Sequence, residues 1–218
     1  MIQSLDTTSL GRFVADQINN LLPDSALKSE ILSPFIKKAV ERTEHCFSKI
    51  NNKYFFDGTQ VRFNHLNTDQ YAMFLYFLSN TIWQEVNDVQ LASRVYYLNK
   101  VLNGLDVFYE VKLPDIFLFV HCIGTVLGRA EYNDYFVVYQ RATVGGNNRE
   151  YPHLGKGVVM YGNSALIGKC KIGDNCFISY GTIVIEKDIP PDMVAFGRHP
   201  DISYKQTKKT VIERFFFD

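Results

Sequence analysis

Apolar side chains in the first hundred residues recur at helical intervals. In residues 7 to 21, Leu10, Phe13, Val14, Ile18 and Leu21 follow one another at spacings near three and four, and Pro23 supplies a stop. A second helix is predicted from Ser25 towards Phe47, broken or bent near Pro34. Asn67 followed by Gln70 predicts a capping box at the start of the helix carrying "YAMFLYFL", residues 71 to 78. Asp88 caps a further segment in which Leu91, Val95, Leu98 and Leu102 form one stripe, ended by Asn103 and Gly104. Residues 1 to 103 therefore read as a helical N-terminal domain.

Beyond Gly104 the period changes to six. Met160, Leu166, Ile172, Ile178 and Val184 are six apart, and Ser164, Cys170, Cys176 and Thr182 place a small residue four positions after the first four. Neither a helix nor a plain strand holds that register, whereas a three-sided coil of short strands does: the large aliphatic points to the axis and glycine serves the corners. Backwards, Val120, Val126, Tyr132, Val138 and Val144 continue the spacing. The frame slips between 144 and 160, where "GGNNREYPHLGKG" predicts an excursion loop over about 145–156. The fold class is accordingly α+β, with a parallel β-helix over 104–200 and a C-terminal tail over 201–218. Since a β-helix needs caps, the helical half is expected at one end and the basic, aromatic tail at the other.

Composition narrows the function. Lysine plus arginine equals aspartate plus glutamate at 23 each, so no bulk attraction to nucleic acid or anionic membrane is implied. "YAMFLYFL" is far shorter than the roughly 20 residues of a membrane-spanning helix, and the N-terminus lacks the order of a secretion signal, so a cytoplasmic protein is expected. Four cysteines without a CxxC pair read as reduced thiols. Cys170 and Cys176 fall at small inward positions, and Cys122 reads as a small hydrophobe beside a histidine.

That histidine, His121 in "FVHCIGTVLGRAEY", stands among the apolar, small and glycine residues of "FVHCIGTVLG". Asp106 precedes it by fifteen residues, and Gly124, Val126 and Gly128 follow. The hexads resemble the left-handed parallel β-helix of hexapeptide-repeat acyltransferases. "LDVFYEVKLPDIFLFVHCIGTVLGRA" after a helical half is similar, more narrowly, to the serine acetyltransferase-like group. The resemblance implies an acetyl-CoA-dependent O-acetyltransferase with His121 as general base and Asp106 as its orienting partner. Neutral histidine suits the removal of a hydroxyl proton, and a carboxylate on its other nitrogen fixes the tautomer. No metal is required.

The resemblance also implies a homotrimer, or two associated trimers, with acetyl-CoA between neighbouring β-helices. Gly162, Asn163 and Ser164 match one turn that contacts this donor, Tyr180 and Gly181 its counterpart one coil later. Arg198 and Lys205, with Lys208 and Lys209, are expected at the nucleotide phosphates. Where serine enzymes of the group carry an aspartate just before the base and an Arg-His pair in the loop, this chain has Val120 and Glu150-Tyr151, with His153 displaced by two. Leaving the ammonium and carboxylate of serine unpaired is costly, so the expected acceptor is a sugar or polysaccharide precursor. Serine O-acetylation through a rebuilt site and a non-catalytic trimeric binding or structural protein are the alternatives. The terminal "RFFFD" differs from the isoleucine end of relatives that dock into cysteine synthase, which argues against that docking; its phenylalanines are expected to pack on the trimer.

Overall fold

The computed structural model describes residues 1–217; Asp218, the last residue of the tail, lies outside the described residues. Four helices form the N-terminal layer: α1 (Thr7–Leu21), α2 (Ser29–Phe47), α3 (Thr68–Val86) and α4 (Val89–Asn103). A two-stranded parallel pair, β1 (Ile2–Gln3) with β2 (Arg62–Phe63), accompanies them. The Asp6, Asn67 and Asp88 side chains cap α1, α3 and α4, and Gly104 ends α4 in a left-handed conformation. The capping box expected at Asn67 and Gln70 is only half formed. Asn67 accepts the Gln70 amide, but the Gln70 side chain turns inward, accepting from Asn64 N and donating to Tyr54 O. α2 begins at Ser29 and runs through Pro34, which lies inside the helix.

The rest is a three-sided parallel coil. One face stacks β3 (Asp106–Val107), β5 (Val126–Leu127), β7 (Thr143–Gly145), β10 (Ala165–Ile167) and β13 (Ile183–Ile185). A second stacks β4 (Phe117–Val120), β6 (Phe136–Tyr139), β9 (Val158–Met160), β12 (Cys176–Ile178) and β14 (Met193–Arg198). The third is short, with β8 (His153–Leu154) on β11 (Lys171–Ile172) and single bridges at Glu131 and Ile189. Met160, Leu166, Ile172, Ile178 and Val184 all point inward and are fully buried.

The backward extension of the six-residue frame holds for Val138 and Val144 but fails in the first coil. Leu127, not Val126, faces the axis, because Leu127 pairs with Val144 while Val126 pairs with Thr143. Phe119, not Val120, is the inward residue of β4, opposite Val138. Inward residues on the first two faces are therefore eight apart in the first coil, Phe119 to Leu127, against six for Val138 to Val144. The first corner holds two extra residues, and His121 lies in it.

The tail does not close the far end of the coil alone. β14 turns back through β15 (Asp201–Gln206), and the chain then crosses the second face as α5 (Val211–Phe215). Phe216 reaches the helical layer, bridging Ile50 and packing on Tyr135, and Phe217 packs on Phe56. Phe216 is thus buried within its own chain, where a role on a trimer surface was expected. Among the described residues no helix is long and apolar enough to cross a membrane.

Candidate active site

At each coil the chain turns from the second face to the first, and these corners stack into one edge. Arg141 N donates to Ile123 O, Asn163 N to Gln140 O and Gly181 N to Gly162 O, at 3.0, 3.1 and 3.0 Å. Arg198 ends the series, its guanidinium 3.9 Å from where a Cβ on Gly181 would sit. His121, Gly162, Asn163, Tyr180, Gly181 and Arg198 therefore share one edge, with Tyr180 and Arg198 exposed. Ser164 is buried, its hydroxyl donating to Tyr161 O within its own corner, whereas the Thr125 hydroxyl donates to Tyr139 O of the next coil. Lys205 stands on β15 beside this edge, in a groove with Tyr161, Phe177, Lys208, Lys209 and Arg214. Arg214 lies over the Tyr161 and Phe177 rings, so the groove pairs an aromatic floor with four cations.

His121 sits in the enlarged first corner with its ring mostly in solvent and its backbone at φ 50°. For a non-glycine residue that conformation costs about 1–3 kcal/mol and persists only where the surroundings hold it. Here Asp69, in the first turn of α3, accepts the backbone amides of His121 at 3.0 Å and Cys122 at 3.4 Å. The Asp69 carboxylate is 3.9 Å from His121 Nδ1, beyond hydrogen-bonding reach. Cys122 is buried, and burial followed by the nearby Asp69 charge pushes its thiol up to about 12, which leaves it inert at neutral pH.

Asp106 does not meet His121 within the chain. It stands on β3, and its carboxylate accepts from Tyr96 Oη and Lys100 Nζ, each at 2.6 Å. Burial pushes its carboxyl upward, but Lys100 and Tyr96 outweigh it and hold the group below the ordinary carboxylate range. Fifteen residues of separation do not bring the two side chains together because residues 108–116 wander outside the regular coil before β4 begins.

The loop residues gather at a different edge, where the first face turns to the third. Glu150, Tyr151 and His153 line a cleft with Arg129, Arg149 and Glu131. His153 Nδ1 lies 2.7 Å from Glu131 Oε2. Val120 is half-buried at the end of β4, paired with Tyr139. Asp69, Glu131, Arg129 and Arg149 were not singled out by the sequence. Asp69 reads locally as an ordinary acidic residue in a helix's first turn, and only the coil's return 52 positions later gives it a partner. Among the described residues no cluster of histidine, cysteine and carboxylate groups could hold a metal ion.

No family model matches the chain. A serine acetyltransferase of Synechococcus elongatus is 28% identical over 114 residues, covering 50% of this chain and 46% of the relative. The chain spans about half the length of the curated relatives it matches. Serine acetyltransferase from Vibrio cholerae superposes with a TM-score of 0.72 at 18% identity, covering 93% of this chain and 80% of that one. The Neisseria gonorrhoeae enzyme in complex with serine gives 0.67 at 19%, covering 89% and 84%. The chain has the serine acetyltransferase fold. Its hexapeptide coil is the left-handed β-helix of that group, and the helical layer is matched along with the coil.

Proposed function

We propose that the chain is an acetyl-CoA-dependent O-acetyltransferase whose acceptor is the hydroxyl of serine or a close relative, with His121 as general base. The observation that carries the reading is the edge itself: an exposed histidine heads a stack of open corner turns that ends in Arg198 and the cationic groove. The groove fits an anionic nucleotide, with Lys205, Lys208 and Lys209 for phosphates and Arg214 over the Tyr161 and Phe177 rings. Gly162 and Gly181 keep the corners low; a Cβ on Gly162 would lie 3.0 Å from the Gln140 amide. Bound acetyl-CoA supplies the activated acyl carbon. His121 takes the proton from the acceptor hydroxyl as that oxygen attacks, then delivers it to the departing thiolate. Within one chain the Asp106 carboxylate is held by Tyr96 and Lys100 rather than by the histidine ring.

Serine is favoured over the sugar expected from the sequence because the similar proteins are named serine acetyltransferases and one neighbour's title records serine. Arg129 and Arg149 add two guanidinium groups to the loop cleft, suited to a carboxylate. That cleft and His121 occupy different edges of one chain, so a trimer in which a neighbour's loop faces the base completes the site. The test is thiol release from acetyl-CoA with serine and a panel of sugars, for the parent chain and His121→Ala. Serine-dependent release lost in the variant supports the proposal; release with sugars alone restores the sugar reading, and no His121-dependent release with any acceptor leaves only a binding or structural role.

A further inference from the structure

We propose that Asp69 is the positioning residue for His121, acting through the backbone of the turn rather than through the imidazole ring; this rests on the reading of His121 as the base. The turn is left-handed at His121 and carries two residues more than the corners above it. Within it Ile123 N donates to His121 O and Thr125 N to Cys122 O, at 2.7 and 3.2 Å, while the His121 and Cys122 amides are held by a carboxylate from the helical layer. Asp69 Oδ2 accepts His121 N and Oδ1 accepts Cys122 N, so both oxygens grip successive amides of the same bend. The Asp69 side chain is only 19% exposed, and a shielded, charged acceptor makes a stronger hydrogen bond than a solvent-exposed one.

Among the described residues no carboxylate hydrogen-bonds the ring: Asp69 is 3.9 Å from Nδ1, and Asp106 is held by Tyr96 and Lys100. The direction in which the imidazole leaves the edge is therefore set by the bend, and the bend by Asp69. Asp69 is free for this task because Asn67 caps α3, its side chain accepting the Gln70 amide and its carbonyl the Tyr71 amide. Removing the Asp69 carboxylate leaves that cap, and the buried Tyr71 and Phe74 that follow it, in place. The helical layer thus contributes directly to the geometry of the base, beyond closing one end of the coil.

The experiment uses the full chain with Asp69→Ala and Asp69→Asn. Amide hydrogen exchange is read residue by residue by NMR, and acetyl transfer to serine by thiol release. In Asp69→Ala the His121 and Cys122 amides should exchange at least tenfold faster while those of β6, β9 and β12 keep the parent's rates. The kcat should fall at least tenfold with the KM for acetyl-CoA within twofold, since the donor's turns are untouched. Asp69→Asn, which retains one acceptor oxygen, should fall between. Asp106→Asn should leave the two amides' exchange unchanged. Unaltered exchange at His121 and Cys122 in Asp69→Ala, or full kcat in that variant, overturns the proposal. A parent chain without His121-dependent transfer refutes the catalytic reading instead, and the exchange measurement still decides whether Asp69 holds the turn.

Discussion

Val126 and Leu127 are adjacent aliphatics, and exchanging their roles would shift the first coil by one residue, turning its inner face outward. Leu127 is 1% exposed and lies over Val144 in the axis, whereas Val126 is 39% exposed on the outside. Leu127→Ala deletes the branched end of a buried side chain between packed coils, which costs about 3 kcal/mol. Val126→Ala removes two methyl groups already in partial contact with water, worth less than about 1 kcal/mol. For a chain of this size each kcal/mol moves Tm by roughly 2–4 °C, so Leu127→Ala should melt roughly 6–12 °C below the parent and Val126→Ala within roughly 4 °C. Thermal unfolding followed by circular dichroism, at two protein concentrations to separate subunit contacts from coil packing, measures both. Equal losses, or the larger loss at Val126, would refute the register and with it the enlarged corner that carries His121.

Close backbone approach gives a second prediction. A methyl on Gly128 would sit 2.8 Å from the Val144 carbonyl oxygen, while one on Gly145 meets only Ile167 Cδ1 at 3.4 Å, so Gly128→Ala should lose about 2 kcal/mol or more in urea unfolding and Gly145→Ala clearly less. Equal stabilities would show that the first two coils are not in contact there. The Cys122 thiol, pushed up to about 12 by burial and by Asp69, should resist alkylation at pH 8 in the folded chain and react promptly in denaturant. Mass spectrometry of iodoacetamide-treated protein reads this, and rapid modification of native Cys122 would contradict the packing of the corner.

The helical layer was legible because its signals are local: α1 follows the spacing of Leu10, Val14 and Ile18, and Asp88 and Gly104 bound α4 where cap chemistry places them. The coil was legible from Met160 onward because five buried residues, Met160 to Val184, hold an unbroken spacing of six that singles them out from neighbours such as Ile167, Ile183 and Ile185. In "TVLG" two aliphatics stand side by side, and the choice between them is made by pairing with Thr143 and Val144, which periodicity does not contain. His121 and the turns at Gly162–Ser164 and Tyr180–Gly181 fall on one edge, although the two extra residues of the first corner take His121 out of the six-residue frame. The His121–Asp106 pairing does not form in the chain, because linear spacing ignores the path through residues 108–116 and the claims of Tyr96 and Lys100 on the carboxylate. Asp69 and Glu131 were hidden for the opposite reason: each meets its histidine only through the tertiary fold. The tail's aromatic residues signalled burial but not the surface that covers them, which proved to be the helical layer of the same chain.

The central claim is that His121 moves a proton on an edge that binds the donor independently of it. The direct measurement is His121→Asn examined twice, by calorimetric titration with CoA and by single-turnover transfer from acetyl-CoA to serine. Binding within twofold of the parent, with transfer slowed by about 10²–10⁴ as expected for loss of a general base, is the predicted result. Transfer at the parent's rate would contradict the account.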